Sequence, residues 1–125
     1  MTRPTVSDQV KALAAGLGYS LAFSHFHTDR PSVQQIASMF SLQPDDIHHV
    51  VAHDDFWLRH VQRSPGPSDG FYLLANDPGY TTYEQERGAQ FEKQRWDTFE
   101  QARAAYAAKL VRDLEVLRRN AAAGR

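Results

Sequence analysis

The sequence predicts one mostly helical α+β domain, and three observations support that prediction. The chain has 125 residues, of which 42% are hydrophobic and 23% charged, as in an ordinary globular domain. Apolar residues recur at helical spacing at both ends of the chain. Residues 56–75 instead combine aromatic and β-favouring residues with a Pro- and Gly-rich segment. We therefore expect helices first, then strands, then a long terminal helix.

The first predicted helix starts at a capping signal. Thr5 and Asp8 form a capping-box pattern, and apolar residues recur at helical spacing over residues 6–21. A second, aromatic stripe on another face consists of Tyr19, Phe23 and Phe26. The end of this helix is therefore either buried on two sides or interrupted near Gly16 and Gly18.

Two shorter helices are predicted next. Ser32 and Gln35 form a second capping box at the start of a short helix. Pro44 suits the first position of a third helix, and Asp45 and Asp46 follow where the helix dipole favours acidic side chains. These signals place a helix, a turn and another helix between residues 32 and 55.

The period of the sequence changes after Asp55. Residues 56–63 and 71–75 are interpreted as two strands of a β-hairpin, joined by the loop 64–70. Residues 80–87 are ambiguous, because their first half favours strand and their second half favours helix. From about Gly88 to Asn120 neither Pro nor Gly interrupts an apolar stripe, which predicts one long helix.

Composition excludes several classes of protein. The chain has no cysteine, which excludes disulfides, thiolate metal sites and cysteine nucleophiles and fits a reducing compartment. No signal-peptide core stands at the N-terminus, and no apolar run reaches the ~18 residues of a spanning helix. We expect a cytoplasmic protein with no membrane partner. No glycine-rich phosphate loop or nucleophile elbow is present, so we expect neither an enzyme nor a cofactor.

Charge is unevenly distributed along the chain. The net charge is −1, which excludes the strong positive field of a basic nucleic-acid binder. Residues 32–55 contain no Lys or Arg and four Asp, and all six His lie between His25 and His60. Residues 87–125 are in contrast rich in Lys and Arg. The first half is therefore acidic and titratable near neutral pH, and the end of the chain is basic.

The segment Val33–Ala52 resembles the helix-turn-helix pattern. It has the small residue Ala37 at the fifth position. The apolar positions of the pattern are held by Ile36, Phe40, Leu42, Ile47 and Val50. Ser41 departs from the pattern, because the family usually has Gly where the turn needs a positive φ.

The order of the predicted elements is similar to that of the winged helix-turn-helix domain. Its long terminal helix resembles the C-terminal dimerisation helix of small PadR-like bacterial regulators. The resemblance implies a winged helix-turn-helix domain of three helices and a β-hairpin wing over residues 1–80. It also implies a dimerisation helix over residues 81–125, packed on the first helix. The function implied is that of a transcriptional regulator that binds duplex DNA as a homodimer.

The resemblance assigns residues to both activities. The candidate DNA-binding residues are Gln43, Asp45, His48, His49 and His53, with Arg59 and Arg63 as wing-like phosphate contacts. The candidate dimerisation residues are Phe99, Tyr106, Leu110, Leu114 and Leu117. Arg112, Arg118 and Arg119 are interpreted as a solvated face of the last helix.

Two other functions stay open because the predicted recognition helix has no Lys or Arg. Bidentate Arg contacts to guanine are impossible from this helix, and its Asp residues repel phosphates. The alternative is a winged-helix protein-interaction module whose acidic face binds a basic partner. A lesser alternative is a metal-responsive regulator, since His49 and His53 share one helix face at the i, i+4 spacing of helical zinc pairs.

Overall fold

The computed structural model describes residues 4–15, 18–53, 61–62, 66, 70–76 and 78–124. The helices within these ranges are α1 (Val6–Ala15), α2 (Gly18–Phe26), α3 (Val33–Ser38), α4 (Pro44–His53) and α5 (Phe99–Ala122). The strands are β1 (Val61–Gln62), β2 (Gly70–Asn76), β3 (Gly79–Glu86) and β4 (Ala89–Trp96). The α+β class and the long C-terminal helix are confirmed.

The chain divides into two compact units. The first, helical unit comprises residues 1–50 and 109–125, and the second unit comprises residues 51–108 and contains the sheet. The helices α4 and α5 each belong to both units, because one boundary falls after Val50 and the other before Lys109.

The capping signals read from the sequence are present in the helical unit. The backbone N–H of Asp8 donates to Thr5 Oγ1 at 3.1 Å. Gln35 N donates to Ser32 Oγ at 3.1 Å, and Ser32 N donates to Gln35 Oε1 at 2.9 Å, which completes the second capping box. Within the first predicted helix the structure describes two segments, α1 as far as Ala15 and α2 from Gly18, with residues 16–17 outside the described ranges. Four described helices therefore precede β1, where the resemblance implied three.

The core of the helical unit comes from α1, α2, α4 and α5 and from the α3–α4 connection. Its most deeply buried apolar side chains are Val10, Ala22, Met39, Leu42, Ile47, Leu110 and Leu114. On α4, Ile47 and Val50 lie on the buried face, as the helix-turn-helix pattern requires. Burying apolar surface at about 25 cal/mol per Å² is the main force that holds these short helices together.

Two polar side chains fix the connection between α3 and α4. Gln9, only 3% exposed on α1, accepts a hydrogen bond from Ser41 N through Oε1 at 2.8 Å. From α5, Arg118 Nη2 donates to Phe40 O at 3.2 Å and to Leu42 O at 2.6 Å. The sequence analysis placed Arg118 on a solvated face of the last helix. The structure shows that Arg118 instead donates hydrogen bonds to backbone carbonyls of the turn. The connection is held from both sides.

The second unit contains a four-stranded sheet in the order β1-β2-β3-β4. The strands β2, β3 and β4 form an antiparallel meander, and β1 pairs with β2 in parallel. The predicted hairpin of residues 56–63 and 71–75 is thus wrong where the structure describes it, since Val61 and Gln62 run parallel to Leu73 and Leu74. Residues 56–60 lie outside the described ranges.

A tight turn between β3 and β4 replaces the start of the predicted long helix. Glu86 pairs with Ala89, and the two residues between them have positive φ, 51° at Arg87 and 81° at Gly88. Two positive φ values in a two-residue loop are typical of the type I′ turn, whose twist matches that of paired strands. The prediction of a helix from about Gly88 is therefore wrong for residues 89–96, which form β4.

The helix α5 starts where a capping box terminates β4. Gln101 N donates to Thr98 Oγ1 at 3.2 Å, and Thr98 N donates to Gln101 Oε1 at 3.2 Å. The first half of α5 then packs on the sheet through aromatic rings. The ring centroids are 5.1 Å apart for Phe71 and Tyr106, and 5.6 Å apart for Tyr80 and Phe99. Edge and tilted ring pairs of this kind add to the stabilisation from buried area.

The other face of the sheet contains a buried pair of tyrosines. Tyr72 and Tyr83 are cross-strand partners on β2 and β3, and their rings stack with centroids 5.2 Å apart. Tyr83 is 1% exposed, and its hydroxyl has no hydrogen-bond partner among the described residues. Burial, together with the neighbouring Tyr72, raises the pKa of Tyr83 above its ordinary value of 10.0.

We expect Arg118→Met to lower the free energy of unfolding by about 2 kcal/mol, because two turn carbonyls lose a charged donor while the aliphatic stem is kept. The matched control is Arg119→Met, which changes an exposed residue of the same helix turn and should cost less than ~0.5 kcal/mol. Urea unfolding followed by circular dichroism measures both. Equal effects of the two substitutions would contradict the assigned role of Arg118.

We expect Tyr83→Phe to raise the free energy of unfolding by about 1 kcal/mol, because it removes a buried hydroxyl without a partner. A raised pKa in the folded state means that the unfolded chain loses its proton first. Stability of the wild type therefore falls as pH rises above about 10, and Tyr83→Phe should reduce this alkaline loss. Unfolding at pH 7 and at alkaline pH tests both effects, with Tyr80→Phe as control. If Tyr83→Phe lost as much stability at alkaline pH as the wild type does, the expected effect of this tyrosine on alkaline stability would be refuted.

Candidate interaction surface on α4

The two faces of α4 differ sharply in chemistry. Ile47, Val50 and Val51 are buried against the protein. The opposite face is exposed and consists of Asp45, His48, His49 and His53, preceded by exposed Gln43. We call this set of five residues the α4 surface. The structure thus brings together, on one side of one helix, all the candidate DNA-binding residues that fall within its described ranges.

Local hydrogen bonds explain why the helix begins where it does. Gln43 O accepts from Asp46 N at 3.0 Å, and Gln43 N donates to Asp46 Oδ2 at 2.8 Å. Asp46 therefore acts on its own helix N-terminus, where a carboxylate is also favoured by the helix dipole. Of the two aspartates at the start of α4, Asp45 is the one left fully exposed.

The turn before α4 departs from the family geometry as Ser41 suggested. Among the described non-glycine residues, positive φ occurs at His27, Arg87 and Glu92, so Ser41 does not adopt it. The connection instead relies on Gln9 and Arg118, which satisfy its backbone groups from outside. A serine is acceptable there because no left-handed residue is needed.

The α4 surface has no cation of its own. Residues 32–55 contain neither Lys nor Arg, so α3 and α4 have no permanently charged donor for a phosphate. Asp45 is therefore the one formally charged side chain of the α4 surface. The carboxylates in the first turn of α4 would repel a phosphate.

The two arginines proposed as wing contacts, Arg59 and Arg63, lie outside the described residues. The exposed hairpin of β3 and β4 is the described element nearest in character to a wing. Its exposed residues 86–95 carry two acidic side chains, Glu86 and Glu92, and three basic ones. The basic residues are Arg87, Lys93 and Arg95. Charges of both signs nearly balance on this hairpin.

The candidate dimerisation residues on α5 are mostly covered within one chain. Tyr106, Leu110 and Leu114 are 6%, 1% and 2% exposed, and Phe99 and Leu117 are half-buried. The resemblance to a dimerisation helix assigned these side chains to a partner, and such a role needs an apolar stripe that the domain itself leaves uncovered. The chain's own elements cover this stripe, so that condition is not met.

Sequence reasoning missed the two residues that position α4. Arg118 lies four residues after Leu114, which lies four after Leu110, so it continues a buried i, i+4 stripe. That spacing was the available signal for a guanidinium directed at the protein. Gln9 gave no comparable signal, because it is a single polar residue next to buried Val10.

The described part of the chain holds no group of three or more His, Asp or Glu residues placed to bind one metal ion. The pair His49 and His53 therefore gains no further ligand among the described residues. None of the helices in this part of the chain has the length and apolar character that crossing a membrane requires.

Comparison with known proteins gave no relative. No family model, no curated protein and no solved structure matches the chain.

Proposed function

We propose that this protein is a protein-interaction module of winged-helix type, and that the α4 surface binds a basic partner protein. The observation that carries the proposal is an exposed helix face that is held rigidly and has Asp but no Lys or Arg. Charge complementarity favours cationic partners and speeds their association. The same charge pattern repels the phosphates that supply most non-specific affinity for DNA.

Support for a binding role comes from how firmly the surface is presented. The turn before α4 is bound by α1 and α5 side chains, and the helix N-terminus is capped by Asp46. A preorganised surface loses little conformational entropy when it binds, which increases affinity. Rigid presentation of polar side chains is what a recognition helix requires.

DNA binding as a homodimeric transcriptional regulator is the second candidate function. The exposed imidazoles of His48, His49 and His53 favour it, because they offer hydrogen-bond donors to base edges or phosphates. The deficit of positive charge on α4 and the balanced hairpin oppose it. Metal-dependent regulation through His49 and His53 has weaker support, because it needs ligands that the described residues do not bring near them.

Photo-crosslinking from the α4 surface tests the first candidate. With a photoreactive amino acid in place of His49, we expect crosslinks to proteins with basic surfaces. Asp45→Lys should remove these crosslinks, because it places a cation on the acidic face. The matched control is Glu115→Lys, which makes the same reversal of charge at an exposed position of α5 and should leave the crosslinks intact. Crosslinks to DNA, or basic proteins retained in Asp45→Lys, would refute the proposal.

The charge of the α4 surface separates the two candidates. Replacing His48, His49 and His53 together by Lys adds permanent positive charge to this surface. Affinity for a purified basic partner should then fall, whereas affinity for duplex DNA should rise. Replacing the same three residues by Gln is the uncharged control and should change both affinities less. Fluorescence anisotropy at fixed salt measures both affinities, and equal effects of the Lys and Gln replacements would show that the charge of these side chains affects neither ligand.

A further inference from the structure

A second surface with different chemistry lies along α2. Three aromatic side chains are exposed there: Tyr19 by 49%, Phe23 by 45% and Phe26 by 36%. Their i, i+4, i+7 spacing puts them on one face of the helix, and Ala22, which lies three residues after Tyr19 and four before Phe26, is buried at the edge of that face. Large aromatic rings at the surface of a small protein mark a binding site more often than scattered exposed residues do.

An open cavity of about 210 Å³ adjoins this stripe. Tyr19 forms part of its wall, and the other wall side chains include Leu13, Ile36, Phe40 and Leu117. The described residues of the wall include no charged side chain. The Tyr19 hydroxyl already donates a hydrogen bond to Asp29 O. An apolar cavity of about 150 Å³ is known to hold benzene. This cavity therefore has the size and chemistry to hold one phenyl ring. We call the stripe and the cavity together the α2 patch.

We infer that the α2 patch binds a second copy of this chain, with Phe23 of each copy entering the cavity of the other. The patch carries both an exposed phenyl ring and, one helical turn away, a cavity that fits such a ring. A surface that carries both an exposed ring and a cavity that accepts such a ring is self-complementary, as a two-fold interface requires. Antiparallel α2 helices, with the axis between Tyr19 and Phe23, would place each Phe23 opposite the other copy's Tyr19.

The charge of α2 favours a second copy over a charged partner. Residues 18–26 contain no Lys, Arg, Asp or Glu, so the helix can face its own copy without like-charge repulsion. To a basic protein or a nucleic acid, α2 offers no Lys, Arg, Asp or Glu, and its one histidine, His25, is half-buried. The α2 patch is thus chemically distinct from the α4 surface, and its occupancy does not depend on the function proposed above.

The exposed area sets the expected strength of the dimer. Three half-exposed aromatic rings present on the order of 300 Å² per copy, against about 800 Å² in an interface of standard size. The rings would form the centre of the interface, where a few aromatic residues contribute most of the binding energy. Because this area is well below the standard size, we expect a weak, reversible dimer that forms at high protein concentration.

Sedimentation equilibrium of the full chain up to about 500 µM tests this inference. Wild type should dimerise, and Phe23→Ala should raise the dissociation constant at least about 100-fold, because two rings leave each dimer. The matched control is Phe91→Ala, which truncates a phenylalanine of β4 that is 50% exposed and should leave dimerisation unchanged. Thermal unfolding should be similar for all three proteins, since both rings are exposed.

A second variant addresses the cavity itself. Leu13→Phe adds volume to the cavity wall and should also abolish dimerisation, although Phe23 is intact. A monomeric wild type at about 500 µM, or equal effects of Phe23→Ala and Phe91→Ala, would overturn the inference. So would a wild type that binds benzene in this cavity, as seen by NMR shifts at Leu13 and Leu117, and stays monomeric. That outcome would make the cavity a small-molecule site.

Discussion

The hydrogen bonds that Gln9 and Arg118 make to the α3–α4 connection are the constraint on which the helical unit depends. Without them the partly buried backbone groups of this turn would lose their protein partners, at a cost of up to about 1–3 kcal/mol each where water cannot replace them. The helix α3 has six residues, too few to be stable alone, so its direction is set by packing and by this turn. The orientation of α4, and with it the α4 surface, follows from the same hydrogen bonds.

The helix α5 contributes to two cores. Its first turns carry Phe99 and Tyr106, whose rings lie against rings of the sheet. Its later turns carry Leu110 and Leu114, which are buried in the helical unit, and Arg118, which binds the turn. One stripe along the helix thus serves both units of the chain.

The two candidate surfaces differ in the kind of partner they can accept. The α4 surface is polar, titratable and without cations, so charge decides what it can bind. The α2 patch is uncharged and aromatic, so shape and apolar area decide. Since they lie on different helices, dimerisation through α2 and partner binding through α4 are compatible, and two copies would present two α4 surfaces.

The sequence by itself determined the local features of this protein. The capping box at Ser32, the start of α4 at Pro44 and the division of α4 into a buried and an exposed face follow from side chains a few residues apart. The Thr98 capping box at the start of α5 was in contrast not predicted, and the helix was expected to begin near Gly88. Only the tertiary structure decided β4, because its first seven side chains are exposed and give no periodic signal. It also decided the roles of Gln9 and Arg118, whose partners lie 32 and 76 residues away in the sequence. Hydrogen bonds at such separations depend on how the helices pack, and no local pattern encodes that packing.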